Sequence, residues 1–93
     1  MAEWEFAESN PSDELAQLYY FSMKLPQPGG VEFVITVKEF ANPRDHSLKF
    51  FASADKQTNQ KTVPFTPCGW GETLLKALAE CIVAIHRFPY EGA

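Results

Sequence analysis

Hydrophobic and polar residues alternate along three stretches of this chain, and a period of two predicts β-strands. The stretches cover residues 18–25, 31–40 and 47–54. A shorter run, residues 61–65, predicts a fourth strand at the sheet edge, because Pro64 cannot donate a backbone hydrogen bond. Loops rich in proline, glycine and asparagine separate the stretches, so consecutive strands are expected to pair in an antiparallel meander.

A period of 3.6 residues governs the C-terminal part of the chain and predicts a helix over residues 74–88. Its apolar residues form one stripe: Leu74, Leu78, Cys81, Ile82 and Ile85. Thr73 is a suitable N-cap, and Pro89 cannot continue the helix. Lys76 and Glu80 lie opposite the stripe at a spacing that allows an ion pair.

Strands followed by one helix predict an α+β fold, in which an antiparallel three- to four-stranded β-meander packs on one C-terminal α-helix. Residues 15–93 are long enough for one core and are expected to form a single α+β domain. Residues 1–14 are expected to be an acidic N-terminal arm or a short strand. The alternation of residues 3–7 favours a strand followed by a turn, and a single helical turn capped by Asn10 is the alternative.

One helix covers only one face of a sheet, so the alternation assigns the strand residues to two faces. The face predicted to lie under the helix carries Tyr19, Phe21, Met23, Val31, Phe33, Ile35, Val37, Leu48 and Phe50. The opposite face carries Leu18, Tyr20, Val34, Phe40 and Phe51, with Lys24, Thr36, Lys38 and Lys49 among them. The second set is more apolar than a solvated sheet face usually is, which is typical of an interface.

Three interpretations of this second face follow. In the first, the N-terminal arm folds over it, with Trp4 and Phe6 as apolar plugs. In the second, it is a protein interface, formed with a second copy of the chain or with another protein. In the third, nucleic-acid bases stack on Tyr20 and Phe51 while the lysines of the face contact phosphates.

The net charge of −4 is unevenly distributed. Residues 1–15 carry −5 and the rest of the chain therefore +1; the acidic residues are Glu3, Glu5, Glu8, Asp13 and Glu14. Overall acidity disfavours non-specific binding to nucleic acid, whereas an acidic arm can steer the chain towards a basic partner surface. The predicted partner-binding residues are these five acids and four apolar anchors, Tyr20, Val34, Phe51 and Trp70.

Residues 69–71, Gly-Trp-Gly, do not predict a phosphate loop, because they lack both the GxGxxG pattern and a Lys-Ser/Thr pair. They predict a tight turn into the helix. Cys68 is not a candidate nucleophile, since a helix about 22 Å long separates it from His86. Two cysteines and two histidines without ligand spacing predict no metal site, and we expect no cofactor and no enzymatic activity.

The N-terminal sequence MAEWEFAES has neither a basic region nor an apolar core, so it does not predict a secretory signal. The apolar runs are also shorter than the roughly 20 residues that span a bilayer. We therefore expect a cytoplasmic protein with no membrane partner and with reduced thiols. A disulfide between Cys68 and Cys81 is the alternative in an oxidising compartment.

Two short resemblances bear on the helix. Residues 71–78, GETLLKAL, resemble the helix start of HicB-type antitoxin domains, in which a Gly-acid-Thr sequence follows a three-stranded sheet. The order of three strands and a helix is similar to the latter part of a double-stranded RNA-binding domain. The first resemblance has Lys76 where an acid would complete a capping box, and the second lacks a lysine cluster at the helix start. The chain is assigned to neither family.

These patterns predict a small non-enzymatic protein-interaction module that blocks a basic surface of a macromolecular partner. A small acidic domain without catalytic groups has the profile of phage or mobile-element inhibitors, including anti-CRISPR proteins, whose targets carry basic nucleic-acid channels. The alternative function is binding of single-stranded nucleic acid on the open face of the sheet.

Overall fold

The computed structural model describes residues 15–26 and 30–91. These residues form strands β1 (Ala16–Lys24), β2 (Glu32–Phe40), β3 (Phe50–Ala54) and β4 (Cys68–Gly71), followed by helix α1 (Leu74–Arg87). The strands lie in chain order in one antiparallel sheet, and α1 packs on it. The predicted α+β meander with a C-terminal helix is therefore confirmed. The predicted arm or strand at residues 1–14 lies outside the described residues.

The third strand begins later than the sequence predicted. Residues His46–Leu48 form a 3₁₀ turn instead of a strand, because the Asp45 carboxylate caps the turn and accepts a hydrogen bond from Ser47 N–H at 2.9 Å. Leu48 was expected under the helix, but it is 43% exposed in this turn. The alternation that begins at Phe50 is the part that forms β3.

The fourth strand predicted at residues 61–65 is wrong. Those residues lie in a loop, where Asn59 adopts a φ of 54° and its side-chain amide donates to Val63 O at 3.2 Å. An isolated bridge joins Thr58 and Phe65, and Asn59 N–H donates to Pro89 O at 2.9 Å, which ties the loop to the C-terminal residues. The fourth strand is Cys68–Gly71, which includes the Gly-Trp-Gly sequence that predicted a turn.

The two glycines of β4 allow α1 to lie directly against the strand backbone. A Cβ atom on Gly69 would lie 2.7 Å from the backbone nitrogen of Cys81, and one on Gly71 would lie 2.6 Å from the backbone nitrogen of Ala77. Side chains at these positions would push the helix away. The glycines therefore set the distance between the helix and the sheet edge.

The core lies between α1 and the inner face of β2, β3 and β4. Its buried members are Phe33, Ile35, Val37, Phe50, Ala52, Ala54, Ala77, Cys81 and Ile85. Partly buried residues surround them: Tyr19, Phe21, Met23, Leu25, Val31, Leu74, Leu78, Ile82 and Tyr90. Apart from Leu48, the residues predicted to lie under the helix are all in these two sets.

The ends of α1 follow the predicted signals. Thr73 Oγ1 accepts a hydrogen bond from Lys76 N–H at 3.2 Å and caps the first turn. The predicted pair between Lys76 and Glu80 is replaced by one between Lys76 Nζ and Glu72 Oε1, at 2.5 Å. In this pair the acid precedes the base by four residues and lies just before the N-cap Thr73.

Candidate functional site

The sheet face turned away from α1 is here called the open face. It carries Ala16, Leu18, Tyr20, Ser22, Lys24, Glu32, Val34, Thr36, Lys38, Phe40, Phe51, Ser53, Cys68 and Trp70, since paired residues of neighbouring strands point to the same side. The strand register arranges them in rows across the sheet. One row runs Leu18, Lys38, Phe51, Trp70, and the next runs Tyr20, Thr36, Ser53, Cys68.

Three rings of the open face form a cluster that we call the aromatic patch: Phe40, Phe51 and Trp70. Trp70 is paired across strands with Phe51, and their ring centroids lie 4.5 Å apart. Its indole also stacks on Phe40, at 6.1 Å between centroids and 20° between planes. Trp70 nevertheless stays 46% exposed. The patch is thus a preformed apolar surface that solvent reaches.

The other two predicted apolar anchors are on the open face but outside this patch. Tyr20 is 64% exposed and pairs with Thr36, and Val34 is 38% exposed and pairs with Ser22. Neither shares a row with Phe51. The structure therefore divides the four anchors into Phe51 and Trp70 at one end of the open face and Tyr20 and Val34 elsewhere on it.

Sequence reasoning did not single out Phe40 as an anchor, although it placed Phe40 on the correct face. Its contact with Trp70 depends on β4, which was not predicted as a strand. The available signal was the alternation of Cys68 and Trp70 with the two glycines, which matches the exposed-buried pattern of a strand.

Lys49 is not part of the open face, contrary to the sequence prediction. It precedes β3, and its ammonium lies 3.5 Å from the Glu39 carboxylate on the helix side of the sheet. The position of Lys49 therefore does not support the predicted phosphate contact on the open face. Lys24 and Lys38 do lie on the open face and are exposed.

Glu39 is a nearly buried carboxylate that the sequence did not distinguish. It is 8% exposed and accepts a hydrogen bond from the Tyr19 hydroxyl at 2.8 Å. This hydrogen bond, together with desolvation and the carboxylate charge, raises the pKa of Tyr19. With Lys49 as its second partner, Glu39 ties β1 and β2 to the segment before β3. Because Tyr19 and Lys49 both bind the Glu39 carboxylate, we interpret these contacts as stabilising the fold.

The two cysteines differ in exposure, and both are free thiols. Cys68 is exposed on the open face, whereas Cys81 is buried and its thiol lies 3.5 Å from the Pro67 carbonyl, to which it donates. Burial, and to a smaller extent the nearby Cys68, raises the pKa of Cys81 to about 11. A buried thiol of this kind is a poor nucleophile.

We expect only Cys68 to react rapidly with Ellman's reagent in the folded protein near pH 8. Burial blocks access to Cys81, and with its pKa about 11 roughly one Cys81 thiol in a thousand is ionised at that pH. Unfolding in guanidinium should release the second equivalent. The variant Cys68→Ala is the control and should lose the rapid phase. Two rapid equivalents in the folded wild type would contradict the burial of Cys81.

Within residues 15–26 and 30–91, no group of three or more His, Cys, Asp or Glu side chains is arranged to hold a metal ion. In the same residues, no helix has the length and apolar character needed to cross a membrane.

Comparisons with protein-family models, curated proteins and solved structures found no match to the chain. The five predicted steering acids, Glu3, Glu5, Glu8, Asp13 and Glu14, lie outside the described residues.

Proposed function

We propose that this chain is a non-enzymatic protein-interaction module that binds a macromolecular partner through the aromatic patch. The observation that supports this most is Trp70, which keeps 46% of its surface in solvent while two phenylalanine rings hold it in place. Tryptophan is enriched among the few residues that dominate binding energy at protein interfaces. Covering the patch with a partner would remove this apolar surface from water.

The patch is also well suited to bind without a large entropic cost. Trp70 lies on β4 between two glycines that are packed against α1, so its backbone is held by the core. The rings of Phe51 and Phe40 both contact the indole and restrict its orientation. A preorganised side chain loses less conformational freedom on binding than a mobile one.

The surroundings of the patch have the composition of an interface rim. Lys38 and Leu18 extend the row of Phe51 and Trp70, and the neighbouring row supplies the hydroxyls of Thr36 and Ser53. Tyr20 and Val34 would provide further apolar contacts. An apolar centre bordered by polar groups is the usual arrangement of a protein–protein interface.

The acidic N-terminal segment favours a partner with a basic surface, because opposite charge accelerates encounter. An inhibitor that blocks a basic channel, of the anti-CRISPR type, is one form of this proposal, supported by the small size and the acidity of residues 1–15. Such a partner is expected in the cytoplasm.

Binding of single-stranded nucleic acid is the second candidate. It is favoured by Lys38, which pairs across strands with Phe51 in the row that ends at the exposed Trp70. A cation beside exposed rings is the arrangement that stacks bases and contacts phosphates. It ranks second because Lys49 points away from this face and the chain carries a net charge of −4.

Trp70→Ala is expected to weaken partner binding by at least about 30-fold, which corresponds to about 2 kcal/mol. The tagged chain and this variant would be compared in pull-downs from host lysate, and the captured protein would then be titrated by calorimetry. Leu75→Ala is the matched control, because Leu75 is 69% exposed but lies on α1 and not on the open face. This control should bind as the wild type does.

Nuclease treatment of half of each lysate separates the two candidates. A protein that survives nuclease, is lost with Trp70→Ala and is retained with Leu75→Ala supports the interaction module. Capture that disappears with nuclease, together with a steep loss of affinity for labelled single strands as salt rises, favours nucleic acid instead. Equal capture by Trp70→Ala and wild type would exclude the aromatic patch as the binding site.

A further inference from the structure

Strand β1 forms one edge of the sheet, and within the described residues no strand pairs with its outer side. Leu25 N–H donates to Val31 O at 2.9 Å, and Ala41 N–H donates to Leu15 O at 3.0 Å. Hydrogen-bonded pairs recur every two residues in an antiparallel ladder, so the odd-numbered residues of β1 point their backbone groups towards β2. The even-numbered residues point theirs outward: Ala16, Leu18, Tyr20, Ser22 and Lys24.

Within the described residues, this edge lacks most of the features that usually protect an exposed strand. Proteins protect edges with proline, charged residues, bulges or short strand length. β1 has nine residues, no proline and one charged residue, Lys24, and its register with β2 is unbroken. The opposite edge, β4, has only four residues and follows directly after Pro67. Of the two edges, β1 is the one suited to strand addition.

We propose that β1 pairs with β1 of a second copy of this chain, in an antiparallel two-fold dimer centred on Tyr20. Tyr20 is the midpoint of the nine-residue strand, so two antiparallel copies overlap along their full length when Tyr20 lies opposite Tyr20. Because Tyr20 points its N–H and C=O outward, this register gives hydrogen-bonded pairs at all five outward residues. The two sheets of four strands would become one continuous sheet.

The same register covers apolar surface that the helix leaves partly exposed. Helix α1 packs on β2, β3 and β4, whereas Tyr19, Phe21 and Met23 on the inner side of β1 are only partly buried. In the dimer, Tyr19 of one copy lies opposite Phe21 of the other, and the reverse pair forms across the two-fold axis. Aromatic pairs directly across antiparallel strands stabilise a sheet.

The charges of β1 are compatible with self-pairing. Lys24 would lie opposite Ala16 of the other copy, eight residues along the strand from the second Lys24. That separation is about 27 Å, well beyond the Debye length of about 8 Å at physiological salt. No like charges meet, and a self-complementary register favours a second copy over an unrelated peptide.

The dimer can be lost without loss of the aromatic patch, although Tyr20 contributes to both surfaces. The aromatic patch is centred on β3 and β4, at the opposite end of the strand order from the β1 edge. Pairing through β1 would therefore leave Trp70 accessible. Loss of one interface does not require loss of the other.

A charge exchange at the two-fold axis tests the proposal. In sedimentation velocity of the full chain at about 100 µM, the wild type should approach twice the monomer mass of 10.5 kDa. Tyr20→Lys and Tyr20→Glu should each weaken dimerisation by at least about tenfold, because like charges meet across the axis. An equimolar mixture of the two variants should restore the dimer, since a lysine then faces a glutamate.

Two controls make the result specific. Ser22→Lys changes an outward residue that would lie opposite Leu18 of the other copy, so the two new lysines do not face each other. The dissociation constant of the dimer should stay within a few-fold of wild type. Trp70→Ala should also remain dimeric. Circular dichroism would verify that the variants fold. We expect both substitutions of Tyr20 to leave the fold intact, because this side chain is 64% exposed. A monomeric wild type, or a mixture that stays monomeric, would overturn the proposal, and so would a dimer lost with Trp70→Ala.

Discussion

Gly69→Ala is expected to destabilise the protein by about 3 kcal/mol or more, although it adds only one methyl group. The new Cβ atom would lie 2.5 Å from Glu80 Cβ, 2.7 Å from Cys81 N and 2.8 Å from Ala77 O. Two of these three atoms belong to the helix backbone, so no side-chain rotation can relieve the overlap. The helix would have to move away from β4, and the buried Ala77 and Cys81 would move with it.

Urea denaturation of Gly69→Ala and Cys68→Ala gives the measurement and its control. Cys68 precedes Gly69 on β4 but is exposed on the open face, so its truncation should change the free energy of unfolding by no more than about 0.5 kcal/mol. A midpoint for Gly69→Ala equal to that of wild type would show that α1 does not pack on β4 at the distance described.

Phe33→Ala is expected to cost about 3–5 kcal/mol. Phe33 has no exposed surface, and its ring meets Tyr90 edge-on, with centroids 5.9 Å apart. Truncation would leave a cavity between β2 and the C-terminal residues that cover it. Since small domains are stable by only about 5–15 kcal/mol, the variant should contain a detectable unfolded fraction at moderate temperature.

Val34→Ala is the matched control for this prediction. Val34 is the next residue on β2, points to the open face and is 38% exposed, so its truncation should cost about 1 kcal/mol or less. Thermal unfolding followed by circular dichroism would compare the two variants. Equal losses of stability would contradict the assignment of one covered and one open face.

The elements that the sequence predicted best are those in which apolar side chains recur with the period of a strand or a helix. β2 alternates without interruption, and the apolar stripe of α1 contacts the core, so both were predicted nearly to the residue. β4 was missed because glycine at both inward positions leaves no buried apolar side chains to reveal the alternation. Those glycines are explained by the approach of the helix, which is a tertiary contact and not a local pattern.

The sequence predicted which face of the sheet carries the candidate site. It did not predict which residues of that face contact one another. Alternation placed Tyr20, Val34 and Phe51 on the same side of the sheet, as the register shows. The contact of Phe40 with Trp70 requires the pairing of β3 with β4, which could not be inferred before β4 was recognised. Lys49 was misplaced because a 3₁₀ turn, capped by Asp45, replaces the first residues of the predicted strand.

The order of the strands has a consequence for how the chain folds during synthesis. Neighbours in the sheet are also neighbours along the chain, so each pairing closes a relatively short loop, which favours rapid folding. The helix that covers the inner face of β2 and β3 is the last of these elements to leave the ribosome. Until it emerges, Phe33, Ile35 and Val37 have no cover, and the nascent sheet is at its most prone to aggregate.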